Sequence, residues 1–161
     1  MMGQIYFRKA TIDDIVQISE LRKKQLQDEG QKPSVNMDEE LHQFFKDKIS
    51  SGDLIEWIAE DADGAIIATS AIIFMDFPPS FTNPSGKRGY VANMYTSDEY
   101  RGQGIAGQLL EYLEKEAKAR GVEMLFLHAS EMGRKAYVKS GFSETDTFME
   151  KLITESCGNG C

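Results

Sequence analysis

Tyr100 to Gly107 reads YRGQGIAG, three glycines spaced Gly-x-Gly-x-x-Gly that run into a segment whose apolar residues Ile105, Leu109, Leu113 and Ala117 share one helical stripe. At such an entry Gly102, Gly104 and the small Ala106 let the backbone pass close to a ligand. The N–H groups of the helix's first turn have no partner inside the helix and converge on one point, a natural seat for pyrophosphate.

A dinucleotide fold needs an apolar strand feeding almost directly into the first glycine, and an acid about 20 residues further on for the ribose. Here Ser97, Asp98, Glu99, Tyr100 and Arg101 separate the strand-like YVANMYT from Gly102, and the stretch about 20 residues past Gly107 reads LFLHAS. The unit also lies past mid-chain, without repeated strand–helix–strand halves. The turn reads as a different phosphate cradle, and an NAD-linked oxidoreductase is the lesser reading.

The remaining segments supply a sheet. Gln4 to Arg8 is a short strand, and Thr11 caps a helix that runs to about Asp28, with Asp13 and Asp14 at its positive end. A second helix, from about Met37 to Ser50, carries Leu41, Phe44, Phe45 and Ile49 on one side. LIEWIAE and AIIATSAIIFM are strands joined by Asp61-Ala62-Asp63-Gly64, whose Asp-Gly pair signals a hairpin. The loop DFPPSFTNPSGKR leads to the strand YVANMYT. Past the glycine turn come a helix to about Arg120, the strand VEMLFLH, the helix SEMGRKAYVKS and a closing strand pair around FSE and FMEKLI. The expected fold is a mixed α/β sheet in one domain spanning residues 1–154. Residues 155–161, with Cys157 and Cys161 in CGNGC, read as a frayed tail rather than a metal or disulfide pair.

The 161 residues, 41% hydrophobic and 10% aromatic, suffice for one packed core. A net charge of −8 opposes nucleic-acid binding and suits a cationic partner. No apolar run is long enough for a membrane span and the start has no signal-peptide pattern, so a soluble cytoplasmic protein, monomeric or homodimeric, is expected, with no membrane partner and no metal.

Arg101-x-x-Gly104-x-Ala106 matches the Arg/Gln-x-x-Gly-x-Gly/Ala motif of the GNAT-type N-acetyltransferases, and NMYTSDEYRGQGIAGQLL resembles that family's acetyl-CoA segment. The family also places a Tyr four residues before Gly-Phe in its penultimate helix, as AYVKSGF does with Tyr137, Gly141 and Phe142. The opening RKATIDD is similar to the family's first strand and capped helix. The resemblance covers nearly the whole chain and implies a central mixed sheet of six or seven strands, about four flanking helices, and acetyl-CoA as co-substrate without a metal. One departure is Ser130, where the family often has Asn; its hydroxyl still has a contact to offer cofactor or backbone.

The resemblance also implies roles. Met94, Tyr95 and Thr96 pair through their backbone with the pantetheine arm, with Met94 N–H near the thioester oxygen as an oxyanion donor. Gly102, Gln103, Gly104, Ile105, Ala106 and Gly107 take the pyrophosphate, Arg101 adds positive charge beside it, and Arg134 is a further candidate for cofactor phosphate. Tyr137 is the expected general acid, since a phenol stays protonated at neutral pH beside a departing thiolate. Both cysteines lie in the tail, so direct attack by a primary amine of a small molecule or peptide is expected rather than a cysteine relay. No direct base is evident: Asn93 and Tyr95 each suit a water relay, His128 serves either structure or catalysis, and His42 is a weaker candidate. The acceptor site is implied among the first two helices, where Glu20, Asp28, Glu29, Asp38, Glu39 and Glu40 would suit a cationic amine. A domain that senses acyl-CoA without transferring it is the alternative.

Overall fold

A computed structural model describes residues 3–153. Chain order is β1 (Tyr6–Lys9), α1 (Ile15–Asp28), α2 (Asp38–Ser51), β2 (Leu54–Glu60), β3 (Ile66–Asp76), β4 (Lys87–Thr96), α3 (Ile105–Ala119), β5 (Met124–Phe126) and α4 (Arg134–Lys139), with short 3₁₀ turns before α1 and after β4. The five strands lie in sequential order; β1 to β4 are antiparallel and β5 joins β4 in parallel. Among the described residues the strand count is five, which corrects the expected six or seven. Residues 142–144 and 148–153, expected as a closing strand pair, are not strands: Met149, Leu152 and Ile153 are more than four-fifths exposed and gain no burial that would offset the ordering of their backbone.

Local chemistry accounts for the element boundaries. Thr11 accepts from Asp13 N–H while Asp14 accepts from Thr11 N–H at 2.7 Å, so the first turn before α1 is closed from both sides. Arg8 clamps this cap to the sheet through both Asp14 oxygens and Glu60. Gly52 ends α2 in the left-handed region at φ 80°, where a side chain would be strained. In the β2–β3 hairpin, Asp61 Oδ1 accepts from the N–H groups of Asp63 and Ala65.

The sheet is covered on both faces. Ile15, Ile18 and Phe45 of α1 and α2 pack on Leu54, Ile58 and Ala71, one face of the pleat. On the other face Leu110, Leu113 and Ala117 of α3 meet Ile72 and Val91, while Ile105 and Leu109 meet Ala59 and Ala68. The predicted stripe of α3 is thus buried in full, each large member contributing about 1.5–3 kcal/mol. Trp57 stacks on Tyr112 of α3 at 4.1 Å between ring centres and donates to Glu116, fixing the helix on the sheet. Among the described residues no helix is long and apolar enough to cross a membrane.

Candidate active site

The site arises where β4 and β5 part. They pair only at Arg88, Gly89 and Tyr90 with Met124, Leu125 and Phe126. Beyond Tyr90, β4 continues to Thr96 while the segment after β5 turns away through His128, Ala129 and Ser130, so among the described residues one edge of β4 has no strand partner. β5 is shorter than the expected VEMLFLH, and His128 stands past its end. Between the diverging chains and the start of α3 lies a cleft of about 1210 Å³.

β4 is irregular just where it borders the cleft. Ala71 pairs with Ala92 and Thr69 with Tyr95, so Asn93 and Met94 together oppose Ser70 in a β-bulge. Asn93 takes φ 55°, the one positive φ among described residues other than glycine. The bulge turns Asn93 toward the α1–α2 face, where it is 6% exposed and donates from Nδ2 to Glu56 at 3.4 Å. Asn93 therefore does not line the cleft, whereas Met94, Tyr95 and Thr96 do.

The glycine turn borders the cleft. Gly102 and Gly104 have φ of 76° and 80°, and a Cβ built on either meets no protein atom within 4 Å, so glycine serves the backbone's conformation and keeps the space in front of it clear. Among the described residues, the N–H groups from Gly102 to Gly107 have no backbone acceptor outside α3. Such donors at a helix start fit an anionic diphosphate. Gly102, Gly104, Ile105, Ala106 and Gly107 line the cleft; Gln103 does not, donating instead to Glu99 O at 3.3 Å. Arg101 lines it but is already engaged, with Nε on Thr96 O at 2.9 Å and its guanidinium on Asp28 and Asp98.

Tyr137 also lines the cleft, 7% exposed and packed edge-on against Phe142. Burial, then the nearby Glu29 carboxylate and Tyr90, push its hydroxyl up to about 12, so it keeps its proton throughout the neutral range. Ser130 borders the cleft and accepts from Gly133 N–H at 3.2 Å, so its hydroxyl shapes the entry to α4. Arg134 lies off the cleft and pairs with Glu144. His128 lines it, with Nδ1 3.2 Å from the Tyr90 hydroxyl and its ring against Phe148, while His42 sits on α2 away from it.

Of the acidic residues on the first two helices, Asp28 and Glu29 line the cleft. Glu20 and Asp38 are taken up by Lys23 on a different part of the surface, and Glu39 and Glu40 lie in the first turn of α2. Glu56 is the group that the sequence reading passed over. It occupies an inward position of β2 between Leu54 and Ile58, is 1% exposed, and burial pushes it up to about 7. An acid in the apolar phase of an alternating strand was the available signal.

Residues 15–142 match the family model described as the acetyltransferase (GNAT) family. The chain is 45% identical to a predicted acetyltransferase of Clostridium acetobutylicum solved with acetyl-CoA, with a TM-score of 0.89 over 92% of this chain and 96% of that one. A GCN5-related N-acetyltransferase of Ralstonia eutropha JMP134 is 29% identical, with a TM-score of 0.86 over 93% and 99% of the two chains. The glucosamine 6-phosphate N-acetyltransferase of Arabidopsis thaliana is 27% identical over 118 residues, 72% of this chain and 77% of that protein. With its parted strands, glycine turn and Tyr137 in one cleft, and a family match over most of its length, this chain belongs to the acetyltransferase (GNAT) family.

Proposed function

We propose that the protein is an acetyl-CoA-dependent N-acetyltransferase in which a primary amine attacks the acetyl thioester directly, both substrates occupying the cleft together. One observation carries this reading: the unpaired edge of β4, the free N–H groups at the start of α3 and a protonated phenol border the same cleft. The similarity to the acetyl-CoA-bound Clostridium protein supports the choice of donor.

Acetyl-CoA supplies an activated acyl group on a thiol leaving group. The protein's tasks are to hold it, polarise its carbonyl and move protons. The turn from Gly102 to Gly107 receives the pyrophosphate, and the edge from Met94 to Thr96 receives the pantetheine amides. Met94 N–H donates to the thioester oxygen, where negative charge grows as the amine attacks; a fixed donor of this kind is worth roughly 10²–10³ in rate. The C–N bond forms, the C–S bond breaks, and the Tyr137 hydroxyl protonates the leaving sulfur, the phenolate then regaining a proton from water. The amine's proton leaves through water, which Tyr95 and His128 on the cleft wall are able to hold. Asp28 is held by Arg101, so Glu29, whose carboxylate acts on Tyr137, gives the acceptor side a negative cast that favours a cationic amine.

The test is acetyl-CoA turnover against polyamines, amino sugars, aminoglycosides, amino acids and peptide N-termini, with CoA release and N-acetyl product both measured. Amino sugars belong in the panel because of the Arabidopsis relative. Product with one acceptor class supports the reading. Acetyl-CoA binding without CoA release across the panel would instead mark a binding-only acyl-CoA domain.

A further inference from the structure

Glu56 is buried on the α1–α2 face, outside the cleft, and no step above uses it. Its Oε1 lies 2.7 Å from Thr69 Oγ1, and the same hydroxyl lies 2.8 Å from Asn93 O. Thr69 has one proton and two close oxygen neighbours. If Glu56 were a carboxylate, both neighbours would be pure acceptors and one contact would set lone pair against lone pair. A proton on Glu56 satisfies all three groups. With that proton Glu56 would donate to Thr69, which as a carboxylate it would instead accept from; Thr69 would donate to the Asn93 carbonyl, and Asn93 Nδ2 to the second Glu56 oxygen.

The ring of bonds closes on the bulge. Asn93 C=O and Met94 N–H belong to one peptide unit, and no described peptide bond is cis, so the two point in opposite directions. Thr69 holds the carbonyl toward the sheet. The amide of Met94 is thereby turned to the opposite side, toward the edge that β5 has left unpaired.

We propose that Glu56 is a positioning residue, held as the neutral acid, which through Thr69 locks the Asn93–Met94 peptide plane and so aims Met94 N–H at the thioester oxygen. The proposal rests on the oxyanion role given to Met94 above. The charged groups acting on Glu56 from the surrounding elements are Arg22 of α1 and Asp14 of the preceding turn, and Asp14 is itself paired with Arg8. Burial, the largest influence on Glu56, favours the neutral form, while the contacts with Thr69 and Asn93 and the charge of Arg22 act against it.

Glutamine is the isostere of the proposed state, able to donate to Thr69 and accept from Asn93. Glu56→Gln is expected to keep single-turnover acetyl transfer within about threefold of wild type at pH 7, and to lose any decline in rate caused by Glu56 ionising at higher pH. Thr69→Val, which removes the link but keeps the shape, is expected to slow the chemical step by about tenfold or more while leaving acetyl-CoA affinity near wild type; Thr69→Ser restores the rate. Loss of activity in Glu56→Gln as deep as in Glu56→Leu would overturn the proposal in favour of an ionised Glu56, and so would an unchanged chemical step in folded Thr69→Val. Should Glu56→Leu not fold, the Thr69 pair decides alone. The protonation state is read without activity, from the infrared carbonyl band of a neutral carboxylic acid that is present at about pH 6, below the value of about 7 for Glu56 and above that of exposed carboxylates, in wild type and absent in Glu56→Gln. Without that band the neutral acid is disproved; with the band but no acetyl transfer on any amine, it is the proposed function that fails.

Discussion

A Cβ placed on Gly133 would stand 2.8 Å from Cε2 of Tyr137, so the glycine that precedes α4 is the floor on which the phenol ring rests. Gly133 itself has φ −87°, which any residue adopts, so the requirement is purely one of space. Gly133→Ala should displace the ring. Tyr137→Phe keeps the ring and removes only the hydroxyl, and should lower turnover by roughly 10²-fold with stability and acetyl-CoA affinity near wild type. If both changes act through that hydroxyl, the double variant is no slower than the worse single one. Single-turnover rates of the four proteins provide the check; a full rate in Tyr137→Phe would return Tyr137 to a packing role.

At the glycine turn, two changes one helical turn apart should act differently. Gly104→Val forces a β-branched residue to φ 80° and fills the front of the cradle, so acetyl-CoA binding should weaken tenfold or more, at least about 1.4 kcal/mol. Gly107 has an ordinary helical conformation and open space around a Cβ, so Gly107→Ala should raise stability by about 0.5–1 kcal/mol. Calorimetric titration and thermal unfolding measure the two effects; unchanged affinity in a folded Gly104→Val protein would remove the turn from the site.

Salt should distinguish attraction from chemistry. With Glu29 on the cleft wall, raising ionic strength is expected to raise the KM of a cationic acceptor and leave kcat nearly constant, since screening acts over about 10 Å at 0.1 M. Glu29→Gln should move KM in the same direction. A neutral or anionic best acceptor in the same steady-state assays would contradict the expectation.

The burial of Glu56 also makes a statement about stability. Its proton affinity rises from the ordinary value of 4.5 to about 7, so between these values the folded protein keeps a proton that the unfolded chain has lost. Stability from this group therefore falls as pH rises from about 4.5 to about 7 and levels off above. Denaturant unfolding of wild type and Glu56→Gln across that range should show the variant's relative stability increasing with pH; a constant difference would mean that the group does not titrate there.

What could be read directly from the chain was local. The glycine turn, the buried stripe of α3, the capped start before α1, the hairpin at Gly64 and the Tyr137-to-Phe142 spacing each depend on residues within a few positions of one another, where backbone conformation and helical period leave a plain mark. From these came the α/β class, and with the family resemblance the expectation that the glycine turn and Tyr137 belong to the site. The closing strands were misjudged for the opposite reason: FMEKLI has strand-like composition, but a strand exists only where a neighbour pairs with it and covers its face.

Tertiary structure alone decided the rest. The length over which β4 and β5 stay together determines where the cleft opens, and no residue of either strand encodes that point by itself. Whether Arg101 is free depends on Asp28, 73 residues away, and the state of Glu56 depends on Thr69 and on Asn93, 13 and 37 residues along the chain. Glu56 has the same side chain in the unfolded protein, where water would keep it ionised. Only the folded sheet removes that water and sets one hydroxyl between two oxygens, and the energy of an acid in that position is a property of its surroundings rather than of its letter in the sequence.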